Sequence, residues 1–271
     1  MIAALVTAFA LAQGATGAAP APADTAVRRA LLAVFGGGPV LPTQMCTASS
    51  PIAAVYDDGT IIYVAKCSES GPQYVEARLA PAELRDLLGT LPLGSFLRLD
   101  SLWYDNLPNW TDMPVYSVWV ASGDSGKCVH LYGALDSTLA PDAPVDPARH
   151  AAPAPGPFVR IYNVLSHITD TRATAWLPDR FDLVFSDSGV GWGSKPAWPE
   201  TWPSHLTRSA RRDRWRRYHV ELTLGGDHEV LEALKGRSID YRQYTLRGEF
   251  WFVHVDYIFP GQERWAACSE F

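Results

Sequence analysis

The stretch Ser238–Pro260, SIDYRQYTLRGEFWFVHVDYIFP, decides how the chain is read. It predicts two strands joined at Arg247-Gly248-Glu249. The second strand, Phe250 to Phe259, alternates. Trp251, Val253, Val255, Tyr257 and Phe259 share one face, while His254 and Asp256 sit in the middle of the other. Bulky apolar side chains every second residue suit a half-buried pleated surface. The strand therefore buries one side and presents polar chemistry on the other.

Working backward, Arg217–Leu224 repeats the pattern, with Tyr218, Val220, Leu222 and Leu224 opposed to His219 and Glu221. Arg180–Phe185 alternates Phe181, Leu183 and Phe185. Asp227–Leu234 after Gly225-Gly226 predicts a short helix, and Phe158–Thr169 another, with apolar residues at helical spacing. These elements make a second half, 158–271, of α+β type. The first half, 23–136, reads the same way. Strands are expected at Pro51–Val55, Thr60–Lys66 and Gln73–Leu79, and a hairpin at Val115–Ala121 and Lys127–Tyr132. A helix is expected at Ala80–Leu88, with Pro81 in its first turn. Ala23–Phe35 predicts a further helix, capped by Asp24 or Thr25 and ended by Gly36-Gly37-Gly38. Between the halves, 137–157 is rich in Pro and Ala and reads as an extended linker. The expected fold is α+β: two packed halves, each an antiparallel sheet with one or two covering helices.

Composition bounds the function. The chain has 271 residues, 47% hydrophobic and 19% charged, which suits a folded body with a sizeable core. A net charge of −6 argues against nucleic acid as the main partner. Residues 1–22 open on an apolar run followed by small residues, the pattern of a signal peptide, although no Lys or Arg precedes the run. The expected compartment is periplasmic or secreted, with no transmembrane segment in the mature chain. Cys46, Cys67, Cys128 and Cys268 show no C-x-x-C spacing, so two disulfides are expected in an oxidising compartment. Cys46 and Cys67 flank a hairpin and are the favoured pair. Three cysteines precede the linker and one follows it, so full pairing requires one bridge between the halves.

Three short segments carry a resemblance: Tyr56-Asp57-Asp58-Gly59-Thr60, Thr111-Asp112-Met113-Pro114 and Trp198-Pro199-Glu200-Thr201-Trp202-Pro203. In this order the chain resembles uncharacterised bacterial exported proteins. The resemblance implies export and no particular activity.

Two candidate sites follow. Trp192, Trp198, Trp202, Arg212 and Trp215 lie in a Trp, Pro and Arg-rich segment that holds six arginines between Arg208 and Arg217. Exposed aromatic faces and guanidinium forks suit a cell-envelope polymer or protein. The plainer reading is a loop pinned to the core and a solvated charged face. Alternatively, His219, Glu221, His254 and Asp256 converge if their strands are neighbours in register, a ligand set for a hydrolytic metal. The plainer reading there is the wet side of an antiparallel sheet. No nucleophile elbow, phosphate-binding glycine loop or zinc-protease motif is present in the sequence, and no cofactor is implied. The leading expectation is a non-catalytic binding or envelope-associated module, with the metal-dependent hydrolase as its rival.

Overall fold

The apolar run Ala30–Gly37 is a strand, β1, and not the end of a helix. It lies at the centre of an eight-stranded sheet and is hidden on both sides. Leu32 and Val34 face one layer, while Ala30, Ala33 and Phe35 face the other. A strand buried on both faces loses its alternation and reads as a continuous apolar run, which periodicity cannot separate from a buried helix. The Ala-Leu-Leu-Ala composition favoured the helix, and the tertiary setting overrides it. The expected caps Asp24 and Thr25 lie outside the described residues, which in this computed structural model are 28–37, 50–68, 71–107, 113–135, 153–187, 195–234 and 242–268.

Around β1 the first sheet holds β2 (Ala53–Tyr56), β3 (Thr60–Ser68), β4 (Gly71–Arg78), β5 (Trp103–Asp105), β6 (Val115–Ser122), β7 (Ser125–Tyr132) and β8 (Thr174–Ala175). Their order is β5-β7-β6-β1-β2-β3-β4-β8, antiparallel except for the β5–β7 pair. The hairpins expected at Asp57-Asp58-Gly59 and around Gly123 are present, each with a glycine at positive φ in its turn. One face of the sheet is covered by α1 (Pro81–Thr90), α2 (Leu93–Leu97) and α3 (Gly156–Ser166). Glu83 accepts a 2.7 Å hydrogen bond from the backbone of Ala80, closing the start of α1 just ahead of Pro81.

Helix α3 shifts the expected partition. Gly156 and Pro157, counted with the extended linker, form its first turn, where proline is well tolerated. Its Phe158, Ile161, Tyr162 and Leu165 are buried under the first sheet, although the sequence groups them with the second half. Gly36 permits this contact, because a Cβ there would run into the Tyr162 hydroxyl. Strand β8 likewise pairs with β4. Of the expected linker, 137–152 lies outside the described residues, as does the expected signal peptide, 1–22.

The second sheet is β10-β11-β9-β13-β12, formed by β9 (Arg180–Asp187), β10 (Arg211–Arg212), β11 (Tyr218–Thr223), β12 (Arg242–Leu246) and β13 (Glu249–Tyr257). All its pairings are antiparallel. Its apolar face packs under α4 (His228–Leu234) and the loop carrying Trp198. The protein is therefore α+β, with two antiparallel-rich sheets and few helices. No helix among the described residues is long and apolar enough to cross a membrane.

What joins the sheets is the chain that leaves β13. Phe259, Trp265 and Cys268 fill the back face of the first sheet. The Trp265 ring lies 5.8 Å from Trp119 and 6.3 Å from Phe35, edge-on to both. Arg264 donates to the carbonyls of Ala30 (2.7 Å) and Gly123 (2.8 Å). A Cys128–Cys268 disulfide closes the strap, spanning 140 residues of sequence. This is the bridge between halves that the cysteine count requires. Cys67 is disulfide-bonded as well, and its favoured partner Cys46 lies outside the described residues.

The β12–β13 turn has positive φ at both central residues, Arg247 (53°) and Gly248 (85°). This geometry matches the twist of a two-residue hairpin but is costly for arginine. Replacing Arg247 with Asn, which tolerates the left-handed region, should raise stability by about 0.5–1 kcal/mol in denaturant titration. A neutral or lower stability would contradict the turn geometry.

Candidate functional site

The polar face of the second sheet is organised in rows. Arg211 of β10 pairs with His219 of β11, His219 with Val184 of β9, and Val184 with His254 of β13. The next row runs Glu221, Asp182, Asp256 over β11, β9 and β13. Directly paired residues of antiparallel strands share a face, so a basic row stands beside an acidic one. On the opposite face the alternating Phe181, Leu183, Phe185, Val220, Leu222, Trp251 and Val253 are all buried, which fixes the register.

The two histidine strands are in register but not adjacent. Strand β9 lies between them, which puts His219 and His254 two strand spacings apart, about 10 Å. Val184 separates the imidazoles, and Asp182 separates Glu221 from Asp256. Glu221 instead pairs with Arg180 at 3.3 Å on the exposed side. Among the described residues no group of three or more His, Cys, Asp or Glu is placed to hold a metal ion. The expected convergence of His219, Glu221, His254 and Asp256 therefore does not form. Neighbouring of sequential strands is a tendency, and here the first strand of the sheet takes the central place, between β11 and β13.

The strands build a different network. His219 Nδ1 lies 2.7 Å from Asp182 Oδ2, and its Nε2 lies 3.2 Å from Asp213 Oδ2. Asp213 also accepts from Arg217 Nε (2.6 Å) and, through Oδ1, from the backbone of Trp215 (2.9 Å) and Arg217 (2.8 Å). An aspartate bonding to its own downstream backbone fixes a tight turn, and this one carries Arg216 at a φ of 63°. The loop between β10 and β11 is thereby locked to the sheet face.

Titration follows this geometry. The hydrogen bond to Asp182 holds the His219 pKa above the usual histidine value, against the opposing effect of burial. Burial works against ionisation of Asp213, but its bonds from Arg217 and His219 outweigh it and lower its pKa. Asp256 behaves alike: burial opposes its charge, and the attraction of His254, Arg217 and His219 prevails. Its carboxylate is 3.5 Å from His254 Nε2, and the side chain is 26% exposed.

These residues open onto a cleft of about 280 Å³. Asp182, Asp213, Asp256, His219 and Arg211, Arg212 and Arg217 line one side, and Gln262, Trp265 and Ala266 of the strap form the other wall. Sequence reasoning missed Asp182 as a site residue, while Arg211, Asp213 and Arg217 lie in the arginine-rich run that it offers as a surface for an anionic polymer. The alternation Phe181-Asp182-Leu183 was the available signal for Asp182, since it puts the carboxylate opposite two core residues.

The tryptophan segment divides. Trp198 is buried 5.0 Å from Tyr244 and 5.2 Å from Phe185, edge-on to both, so its faces are committed to the core. Backbone bonds from Trp198 to Thr245 and from Thr245 to Pro196, both 2.9 Å, pin the loop to β12. Trp202 packs edge-on against Trp198 and donates its indole N–H to Glu229. Arg212 lies over the Tyr218 ring at 5.3 Å, and Trp215 is 59% exposed with Arg214 5.0 Å from its ring. Trp192 lies outside the described residues.

A histidine whose pKa is raised on folding adds stability below its unfolded pKa, and that stability disappears as pH rises through the folded value. The stability difference between the native chain and His219→Gln should therefore be largest at about pH 5.5, below the ordinary histidine value of roughly 6.5, and shrink toward pH 8.5. Denaturant titrations at the two pH values check this, and a difference that stays constant would contradict it.

No family model, no curated protein and no solved structure matches the chain.

Proposed function

We propose that the chain is an exported, non-catalytic module that binds an anionic polymer of the cell envelope along the arginine edge of its second sheet. The observation that carries this reading is β10. This outer strand consists of Arg211 and Arg212, and neither forms an ion pair among the described residues. The Arg211 guanidinium, on the polar face and without a carboxylate partner among the described residues, is suited to bidentate capture of carboxylate, sulfate or phosphate, while Arg212 lies over Tyr218 on the other face of the strand. Beyond them Arg214 and the exposed Trp215 extend the same edge. An aromatic face beside a cation adds a surface on which a sugar ring can stack.

A binding role is also supported by the state of His219. Both ring nitrogens are engaged by carboxylates, so the imidazole holds geometry and offers no free nitrogen for proton transfer. The metal-dependent alternative finds no favouring observation once Glu221 is drawn to Arg180. Export is supported by the Cys128–Cys268 disulfide, a bond that persists in oxidising compartments. The overall charge of −6 repels polyanions at long range, but salt screens that repulsion beyond about 8 Å. Contact at the local arginine edge then decides.

Retention on polygalacturonate beads, with neutral dextran beads as control, tests the proposal. The native chain should be held at low ionic strength and released by salt. Arg211→Ala/Arg212→Ala should weaken retention by about tenfold or more, the equivalent of at least one lost charge-assisted contact. Retention that ignores both the double substitution and salt, or no retention by the native chain, would overturn it.

A further inference from the structure

His219 is held between two acceptors. Its Nδ1 faces Asp182 Oδ2 at 2.7 Å and its Nε2 faces Asp213 Oδ2 at 3.2 Å. An ionised carboxylate only accepts, so both contacts are hydrogen bonds only when both ring nitrogens carry a proton. A neutral ring has one N–H, and its other nitrogen then turns a lone pair toward a carboxylate. The shorter bond, to Asp182, keeps the remaining proton, and the contact to Asp213 is given up. The side chain is 18% exposed, so water can take the proton that is lost.

Every element packed around the ring contributes charge or bounds it. Asp182 stands on β9, Arg211 on β10 directly opposite His219, and Asp256 on β13. Asp213 and Arg217 flank the turn between β10 and β11, bonded to each other at 2.6 Å. Glu221, in the next row, is drawn to Arg180, and the strap presents Gln262, Trp265 and Ala266, none of which ionises. Burial raises the pKa of Tyr257, which stays neutral. Arg217 and His219 are committed to carboxylates, whereas Arg211 has no ion pair among the described residues. Removing the His219 proton takes a positive charge from beside Arg211 and a donor from Asp213. Arg211 is then the uncommitted guanidinium on the same polar face.

We propose that the proton on His219 gates polymer capture: while present it holds Asp213 and leaves Arg211 to the ligand, and its loss frees Asp213 to compete for Arg211. The inference rests on the polymer-binding reading and deepens it, since it names the regulation of the arginine edge. The sign follows from the geometry. The ring is charged below its folded pKa, which Asp182 holds above the ordinary histidine value, and it loses its proton as pH rises through that value. Capture is therefore strong in mild acid and weak in base. By reciprocity, a bound polyanion makes the His219 proton harder to remove.

Binding to polygalacturonate beads at pH 5.5 and pH 9, at equal ionic strength, tests the gate. Carboxylates titrate near pH 4, so the polymer is ionised at both values. The native chain should bind about threefold or more tighter at pH 5.5, the scale of one partly screened charge contact. His219→Gln should lose most of that ratio, while His254→Gln, two strands away on the same face, should keep it. Thermal unfolding of each variant establishes that it is folded. In native protein carrying ¹⁵N-labelled histidine, oligogalacturonate at concentrations that displace the chain from the beads should move the His219 titration midpoint to higher pH. Equal retention at the two pH values, a ratio that survives His219→Gln, or an unmoved midpoint would each overturn the gate. If arginine-dependent retention persists in those cases, only the gate falls. If the native chain is retained at neither pH, the polymer-binding reading falls and the gate with it.

Discussion

The structure depends on one contact, the burial of Trp265 and its neighbours against the back of the first sheet. Strands β1, β2 and β6 present Ala30, Ala33, Phe35, Ala54, Tyr56 and Trp119 on that side, an apolar surface that none of the α-helices among the described residues covers. Left in water, such a surface would favour aggregation. The C-terminal strap covers it, and a buried tryptophan at such a position is worth about 3–5 kcal/mol against alanine. Because the strap continues directly from β13, covering the first sheet also fixes the second. Tyr257 marks the junction, 5.1 Å from Tyr74 of the first sheet and 5.6 Å from Phe181 of the second. The Cys128–Cys268 bond holds the strap in place, and by closing a long loop it removes freedom chiefly from the unfolded chain.

The cleft is a by-product of this clamping. One wall is the strap itself, and the other is the wet face of the second sheet, brought close enough that its charges are partly desolvated. In that setting ionised groups persist only when paired. The Asp182–His219–Asp213–Arg217 chain meets that condition, and it explains why Asp213 and Asp256 stay readily ionised despite burial. It also immobilises the turn that carries Trp215 and Arg216, so the arginine edge is presented on a firm support rather than a loose loop. Preorganised cations lose little freedom when a ligand arrives, which favours affinity.

Much of this was legible in the sequence because one side of each outlying strand is wet. The alternation in Tyr218–Thr223 and Glu249–Tyr257 revealed strand, face and polar residues together. Helix α1 was legible from Pro81 and its leucines, and the crossing disulfide from cysteine arithmetic. The failures share a physical origin in long-range packing. Strand β1 lost its alternation because both of its faces are covered. Helix α3 was grouped with the wrong sheet because nothing local in Phe158–Leu165 says which apolar surface it will cover. The metal reading failed on strand order, for no local pattern shows that β9 lies between β11 and β13. Trp198 carries the same composition as Trp215, and only the fold assigns one to the core and the other to the surface.

The claim that the strap binds the two sheets into one body is tested most directly by disulfide mapping. The unreduced protein is digested, and its cross-linked peptides are identified by mass spectrometry. The account predicts a linked pair containing Cys128 and Cys268. A Cys268 peptide joined to Cys46 or Cys67, or carrying a free thiol, would contradict it, and the cleft wall built on the strap would be lost as well.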